Sequence, residues 1–556
     1  MASRLLNVRQ KPMRTAPSIA TGLLIIATAA ACGAPGPPPL LTITSPARGL
    51  IQSAAGQLTV TGTAIPATSG DRVAQVTVNR VAATLRPDGS FTAVVDASNG
   101  AMLLETVATS DSGASANDTR AVQTGQLRPV GTSIDRAVTA ALSAGAFTRL
   151  SAAAGPLLKT MDLTALLAPF QPMVTTGDDL ANLKLSVTGV KFTDTKISLT
   201  PVDGGLAFSA EFDGLVVAAN AVYAGALVPD GATAVTMTAD QVTITGTLGV
   251  APAGTAGFTT KLVAPAMHTV GLRLAASGLT GEILDLLDSV LGSTIQGVVS
   301  RSAELALGPL INQALGALAG PQKIDVLGKT LDLQAAPSAV TLSAAGALVT
   351  MNLKALIEGS ESSPGYMFTD NGVPTLDASH GLQLGLADDL INELLAEVHA
   401  LGVLDLSVQQ DFGLFDAANF QLTMPPMISA RTSNGAMRLV IGDMIATFSH
   451  HGTMVVKAAI NAQVELKIAP AANAQQVALQ FGAVDVRIDL LDDAPGTAGI
   501  SGDELAGATS TGLGFQLDSL SELLVTLPVL SVAGIQLDHL AIGADSGYVM
   551  MSGQIH

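Results

Sequence analysis

The sequence predicts an α+β protein: a small all-β segment, then one helix–sheet unit that occurs twice. Three observations carry this. Residues 40–127 read as short alternating strands with turns between them. Residues 131–556 change texture, and helical stretches alternate with long strand runs. The stretch Thr330–Leu353 is answered by Gln536–Ile555, with Leu331-Asp332 matching Leu537-Asp538 and GALVTM matching GYVMMS. Self-similarity at so large a period marks a duplicated unit.

The chain starts with a targeting signal. Arg4, Arg9, Lys11 and Arg14 come first, without an acid, followed by the apolar run Gly22–Ala31, Cys32 and Gly33. That run is too short to span a bilayer as a mature helix, so residues 1–31 read as a signal peptide. A cysteine directly after small residues resembles a bacterial lipobox, although Ala29 stands where leucine is commonest. The resemblance implies that Cys32 becomes the first mature residue and carries acyl chains as a lipid-anchor; ordinary cleavage near Cys32 is the alternative. Residues 32–39 contain GAPGPPP, a stiff Pro-rich tether. The expected location is extracytoplasmic and membrane-anchored, in the periplasm or on the cell surface.

Composition narrows the range of functions. The chain has 556 residues, 48% of them hydrophobic, 13% charged and only 3% aromatic. Disordered chains combine low hydrophobicity with high charge, the opposite of this. A chain this apolar must bury a great deal or hold something apolar. The net charge is -18, and beyond the first 31 residues 23 cations face 45 acids. Such a field repels nucleic acid and anionic head groups. It does not oppose lipid tails. Cys32 is the one cysteine, so no intrachain disulfide forms.

In the all-β segment, Val76 and Val78 point one way and Thr77 and Asn79 the other. Arg86–Ser90 (RPDGS) is a tight turn, since Pro87 presets φ and Gly89 accepts φ > 0. SPARG, VTVNRV, PDGSF and ATSDSG resemble bacterial immunoglobulin-like modules of surface proteins. That resemblance implies a β-sandwich serving as a spacer, the preferred reading, or as an adhesive module.

In the longer segment, Ser133–Leu158 has helical periodicity, with Ser133 as its cap and Asp135 in its first turn. Strand alternation follows at Leu183, Leu185 and Val187, at Ile197 and Leu199, at Leu206, Phe208, Ala210 and Phe212, and at Val242 and Ile244. A sheet with one apolar face curls it over a partner. The expected partner is a helix capped by Thr280, with Glu282 near its positive end and Ile283, Leu286, Leu287, Val290, Leu291, Ile295 and Val298 at three- and four-residue spacing. Pro309 should break or kink it, leaving about 27 residues and a rod of about 40 Å. The second half repeats the order: a helix at Gly381–Gly402, strands, a short helix at Ser519–Leu530 and a closing strand pair.

This order resembles the tubular lipid-binding superfamily, and most nearly its bactericidal/permeability-increasing and lipopolysaccharide-binding branch. The resemblance rests on FTRLSAAAGPLL, GLQLGLADDLINELL, HALGVLDLSV and IQLDHLAIGADSGYVMMSGQI and covers nearly all of 131–556. It implies two tandem elongated barrels, each a twisted antiparallel sheet wrapped round a long helix, joined by a central sheet. Residues 131–353 would supply the first barrel and central-sheet strands, 354–380 a connector, and 381–556 the second barrel and closing strands. It further implies apolar pockets for the acyl chains of a phospholipid-like ligand. The candidate lipid-binding residues are Ile283, Leu287, Leu291 and Ile295 in the first barrel and Leu390, Leu394 and Leu395 in the second; ordinary core is the alternative for each. The chain departs from the plasma members in lacking their disulfide and a basic barrel tip, having only scattered Lys184, Lys191, Lys196 and Lys261. That puts recognition of lipopolysaccharide phosphates in doubt, but not carriage of a tail-bearing lipid.

Catalytic groupings are missing. There is no G-x-S-x-G, no H-E-x-x-H and no phosphate loop, and GISGD (Gly499–Asp503) is off by one position. His450 and His451 are adjacent, but neighbours on a strand face opposite ways, which argues against a metal site. Asp492, Asp493, Asp503 and Glu504 bracket a Gly-rich loop that reads as solvated rather than calcium-binding. The expectation is a non-enzymatic lipid binder with no cofactor and no metal. A structural or adhesive surface lipoprotein is the alternative; a hydrolase would need a nucleophile and base not evident here.

Overall fold

A computed structural model describes residues 36–555 except 178, 180–181, 227–229, 277–280, 316–319, 327, 370, 377–380, 410–414, 431–435, 471–476, 494–504, 506–508, 510–512, 515–516 and 518–536. The signal peptide, Cys32, Thr280, Asp503, Glu504 and the short helix expected at Ser519–Leu530 lie outside the described residues.

Residues 40–124 form a two-sheet β-sandwich. One sheet pairs Leu40–Ser45, Gly56–Ile65, Ser90–Ala97 and Thr84–Leu85; the other pairs Leu50–Gln52, Ser115–Thr124, Gly100–Ser110, Val73–Val78 and Val81–Ala82. Val76 and Val78 are buried with Val60, Phe91, Leu104 and Val122 in the sandwich's own core. Gly89 has φ +83, and its N–H donates to Arg86 O at 3.0 Å, closing the RPDGS turn.

A seven-stranded antiparallel sheet forms the centre of the molecule. Its order is Gly320–Val326, Lys329–Ser343, Gly346–Ile357, Ile134–Ser143, Leu382–Ala387, Tyr548–Ile555 and Leu537–Asp545. The duplication is visible in this order. Ile134–Ser143 and Leu382–Ala387 pair at the middle, and each is flanked by the second strand of its own half's closing hairpin. Each middle strand runs straight into a helix, α1 (Ala144–Thr160) and α4 (Asp388–Ala400) respectively.

This corrects two expectations. The helices expected at Ser133–Leu158 and Gly381–Gly402 are each a strand followed by a helix, and Ser143 rather than Ser133 stands at the N-cap of α1. Residues 137–142 are all buried, because a central strand covered on both faces is apolar on both. Such a run has no period of two and cannot be told from a buried helix by pattern.

Two further sheets are curled half-barrels, one in each half. The first orders Val174–Gly177, Asn182–Lys191, Gly205–Ala224, Gly231–Pro252 and Phe258–Val270, with Asp194–Val202 and Arg273–Ala276 pairing alongside. The second orders Leu406–Gln409, Ala417–Gln421, Met437–His450, Thr453–Pro470 and Val477–Asp493, with Met427–Ser429 alongside. Among the described residues no pairing closes either sheet into a barrel. The inward face changes parity along the strand: Leu206, Phe208, Ala210 and Phe212 are buried, then Leu215, Val217, Ala219 and Ala221. The change falls at Gly214, whose φ of +60 lets the strand turn over.

The helices complete the first half. Short α2 (Leu163–Leu167) and long α3 (Gly281–Leu315) follow α1. The 35-residue α3 runs through Pro309 rather than ending there. Gly308 precedes the proline and has no Cβ for its ring to meet, and Leu307 and Ile311 are buried on either side. Gly155-Pro156 inside α1 repeats the device. In the second half the described helix is the 13-residue α4, so a long helix there is not among the described residues.

The sandwich is clamped to the second half. Arg48 reaches Asp443 Oδ1 at 2.8 Å, Asp118 Oδ2 at 3.1 Å and Asp489 Oδ2 at 3.4 Å. Asp443 Oδ2 also accepts the N–H of Gly49 at 2.9 Å and of Ala121 at 3.0 Å. Ala101 of the sandwich packs with Met367, Met427 and Val440 beside this network. A spacer swinging on a tether would bury no such network.

Candidate functional site

Five of the residues expected to bind lipid are nearly inaccessible. Ile295, Leu394 and Leu395 are 0% exposed, Leu287 is 2% and Leu390 is 3%. Leu291 is 7% exposed. All six belong to one continuous core that runs from Ile134 to Val549. The side chain of Ile283, at the start of α3, lies outside the described residues. None of the six described ones lines the groove along α3 or the polar pocket beside α4.

The groove, about 400 Å³, lies along α3, one turn beyond Ile295. Phe170, Met173 and Gly297 line its apolar part, and Ser300, Arg301 and Glu304 its polar part. The Arg301 guanidinium stacks on Phe170, 4.0 Å from the ring centre, and bonds Glu304 at 3.0 Å. Glu304 in turn accepts the Leu262 N–H at 3.0 Å, which pins this flank of the helix to the curled sheet. Ser300 Oγ is buried without a hydrogen-bond partner. A buried hydroxyl left without a partner costs about 1–3 kcal/mol. The groove is open to solvent, half-apolar and half-polar.

The polar pocket, about 370 Å³, lies where sandwich, central sheet and α4 meet. Asn99, Gln126, Arg128, Asp135, Arg136, Phe368, Asn371 and Asp389 make it polar. Arg128 stacks on Phe368 at 3.3 Å, and Asp389 is committed to Thr369 N–H at 2.8 Å. It suits a hydrated polar group and not an acyl chain.

Behind that pocket lies a feature that sequence reasoning missed. Asp388, Asp389, Glu393 and Glu397 of α4 are all buried. Asp388, Glu393 and Glu397 each hold a segment against the helix: Asp388 accepts Ala430 N–H at 2.8 Å, Glu393 accepts Gly131 N–H at 2.8 Å, and Glu397 accepts Ile357 N–H and, at 2.8 Å, the Ser360 hydroxyl. Burial pushes Asp389 up to about 7, Glu393 to about 9 and Glu397 to about 7. The neighbouring Asp388 adds to the shift of Asp389, and Glu397 to that of Glu393. Asp389, Glu393 and Glu397 fall at four-residue spacing within an apolar run, a pattern that could have flagged a buried acid face.

Strand alternation does not separate His450 from His451, which removes the argument against a metal there. His450 ends its strand, but His451 has φ +48 and leaves the alternation, so both imidazoles face Asp416. The acidic run is divided: Asp492 and Asp493 sit in the last strand of the second curled sheet, opposite Lys457 and Val456.

Residues 39–126 match the family model of glucodextranase, domain B. No curated protein sequence matches the chain. Among solved structures, a lipopolysaccharide binding protein aligns at 13% identity and a TM-score of 0.37, covering 76% of this chain and 99% of that one. P47 of Clostridium botulinum E1 aligns at 7% identity and 0.26, covering 76% of this chain and 100% of that one. P47 of Clostridium botulinum A2 aligns at 7% and 0.24, covering 75% and 96%. Superpositions this loose carry no residue roles across.

Proposed function

We propose that this protein binds an amphipathic lipid, and that the groove along α3 is where the ligand meets the protein. The single observation that carries the reading is that groove's division: Phe170, Met173 and Gly297 can cover acyl methylenes, while Ser300, Arg301 and Glu304 make its other end polar. Each methylene removed from water contributes about 0.8 kcal/mol, so a chain lying partly in the groove binds without help from charge. The acyl chains of a phospholipid-like molecule are the expected cargo. Cys32 would tether the protein to a membrane outside the cytoplasm, and no chemistry beyond binding is assigned to it. Among the described residues, no helix is long and apolar enough to cross a membrane.

Native mass spectrometry with organic extraction tests this on the form beginning at Gly33, which lacks any acyl anchor. One lipid per chain is expected, and Gly297→Trp should release it by filling the groove. A wild-type chain that stays bare after incubation with phospholipid vesicles would overturn the reading. It would shift weight to a surface structural role for the clamped sandwich.

A further inference from the structure

We propose that Asp416, His450 and His451 form a binding site for a divalent transition-metal ion of the zinc class. The site lies at the turn between the strands Met437–His450 and Thr453–Pro470. One potential ligand atom from each residue falls within 4.8 Å of the others. Nδ1 of His451 stands 3.2 Å from Asp416 Oδ2, and Nδ1 of His450 3.7 Å from the same oxygen. Two ligands each 2.0–2.1 Å from a tetrahedral ion stand roughly 3.3–3.4 Å apart. The two distances from each imidazole to the carboxylate therefore stand near that spacing, and the two imidazoles would have only to close from within 4.8 Å.

The backbone produces that spacing. On a regular strand His450 and His451 would diverge. His451 instead adopts φ +48 and Gly452 φ +77, and the two rings come to lie 4.1 Å apart at 44°. A non-glycine residue in the left-handed region costs about 1–2 kcal/mol, a form of strain that recurs at functional sites. The carboxylate is positioned as well. Asp416 N–H donates to Ser449 O at 3.0 Å, and its Oδ2 accepts the His451 N–H at 2.8 Å. Oriented ligands of this kind lower the cost of assembling a metal shell.

Two imidazoles and one carboxylate suit zinc, nickel or copper(II) and not calcium or magnesium, which want oxygen alone. The side chains are 48% (His450), 82% (His451) and 37% (Asp416) exposed, so the site is open to solvent. Three protein ligands leave a fourth position for water or for a group on a partner.

The test is a titration of the chelator-treated full chain with Zn²⁺ by calorimetry, repeated with Co²⁺ by visible absorption. One ion per chain is expected, with visible bands for Co²⁺ of low-symmetry coordination and no response to Mg²⁺. His450→Gln, His451→Gln and Asp416→Asn should each weaken binding at least tenfold. Asp416→Asn keeps an acceptor for the His451 N–H, so it decides the matter if a histidine variant unfolds the hairpin. The absence of Zn²⁺ binding would overturn the proposal. So would equally tight binding by a folded Asp416→Asn protein, which would place the ion elsewhere.

Discussion

Asp443 shows how much one residue can decide. It has no solvent exposure and φ +44, at a break in register between Ile441 and Met444, and it gathers Arg48, Gly49 and Ala121 of the sandwich. Replacing Arg48 by Met would leave Asp443 and Asp489 buried without their cation. Removing one partner of a buried pair typically costs about 3–5 kcal/mol, a loss that urea unfolding would read directly. A loss below about 1 kcal/mol would mean that water reaches the network. The acids of α4 give the opposite sign. Their folded pKa values are raised, to about 7 for Asp389 and Glu397 and about 9 for Glu393, so the folded state keeps protons that the unfolded chain gives up above its ordinary carboxylate range. Their contribution is most favourable in acid and is lost as pH rises through 7 towards 9. The melting temperature should therefore fall from pH 5 to pH 8. Glu393→Gln should flatten that slope and stabilise the protein at pH 8 by a few kcal/mol. A slope unchanged in this variant would show that Glu393 is ionised in the fold.

Elements carry their own consequences. α3 tolerates Pro309 because Gly308 precedes it and its neighbours on the buried face hold the axis. The lost N–H bond still has a cost, so Pro309→Ala should raise stability by about 1–3 kcal/mol and slow amide exchange in the last turns of α3. No change in either would mean that the helix end is fixed by its packing alone. α4 is the opposite kind of element, with both its leucine face and its acid face buried. Leu394→Ala should cost about 2–5 kcal/mol by chemical denaturation, because a fully buried leucine leaves a cavity. For the same reason a tryptophan at Leu287 or Leu394 would overpack a core rather than occupy a lipid pocket.

At the scale of the whole molecule, one core joins both halves through the central sheet, and the sandwich adds a second core of its own. The junction of Ala101 with Met367, Met427 and Val440 couples the two. A chain starting after residue 125 should melt at a lower temperature than the full chain. It would expose those side chains and strand Asp443 without Arg48. An unchanged midpoint in calorimetry would make the sandwich an independent appendage.

The sequence by itself determined the all-β segment, the RPDGS turn, the duplicated hairpin and the inward-facing residues of the curled sheets. All of these are local periodicities, or turn chemistry that a few residues enforce. Ile134–Ser143 was decided by tertiary structure, because a strand buried on both faces loses its period. So were the Arg48 clamp and the Asp416–His450–His451 cluster. Arg48 and Asp443 stand 395 positions apart, and nothing in either neighbourhood announces the other. His451 joins His450 only through a backbone angle set by the turn. The groove along α3 belongs with them, since Phe170 and Arg301 meet only once the long helix lies back across the start of its own half.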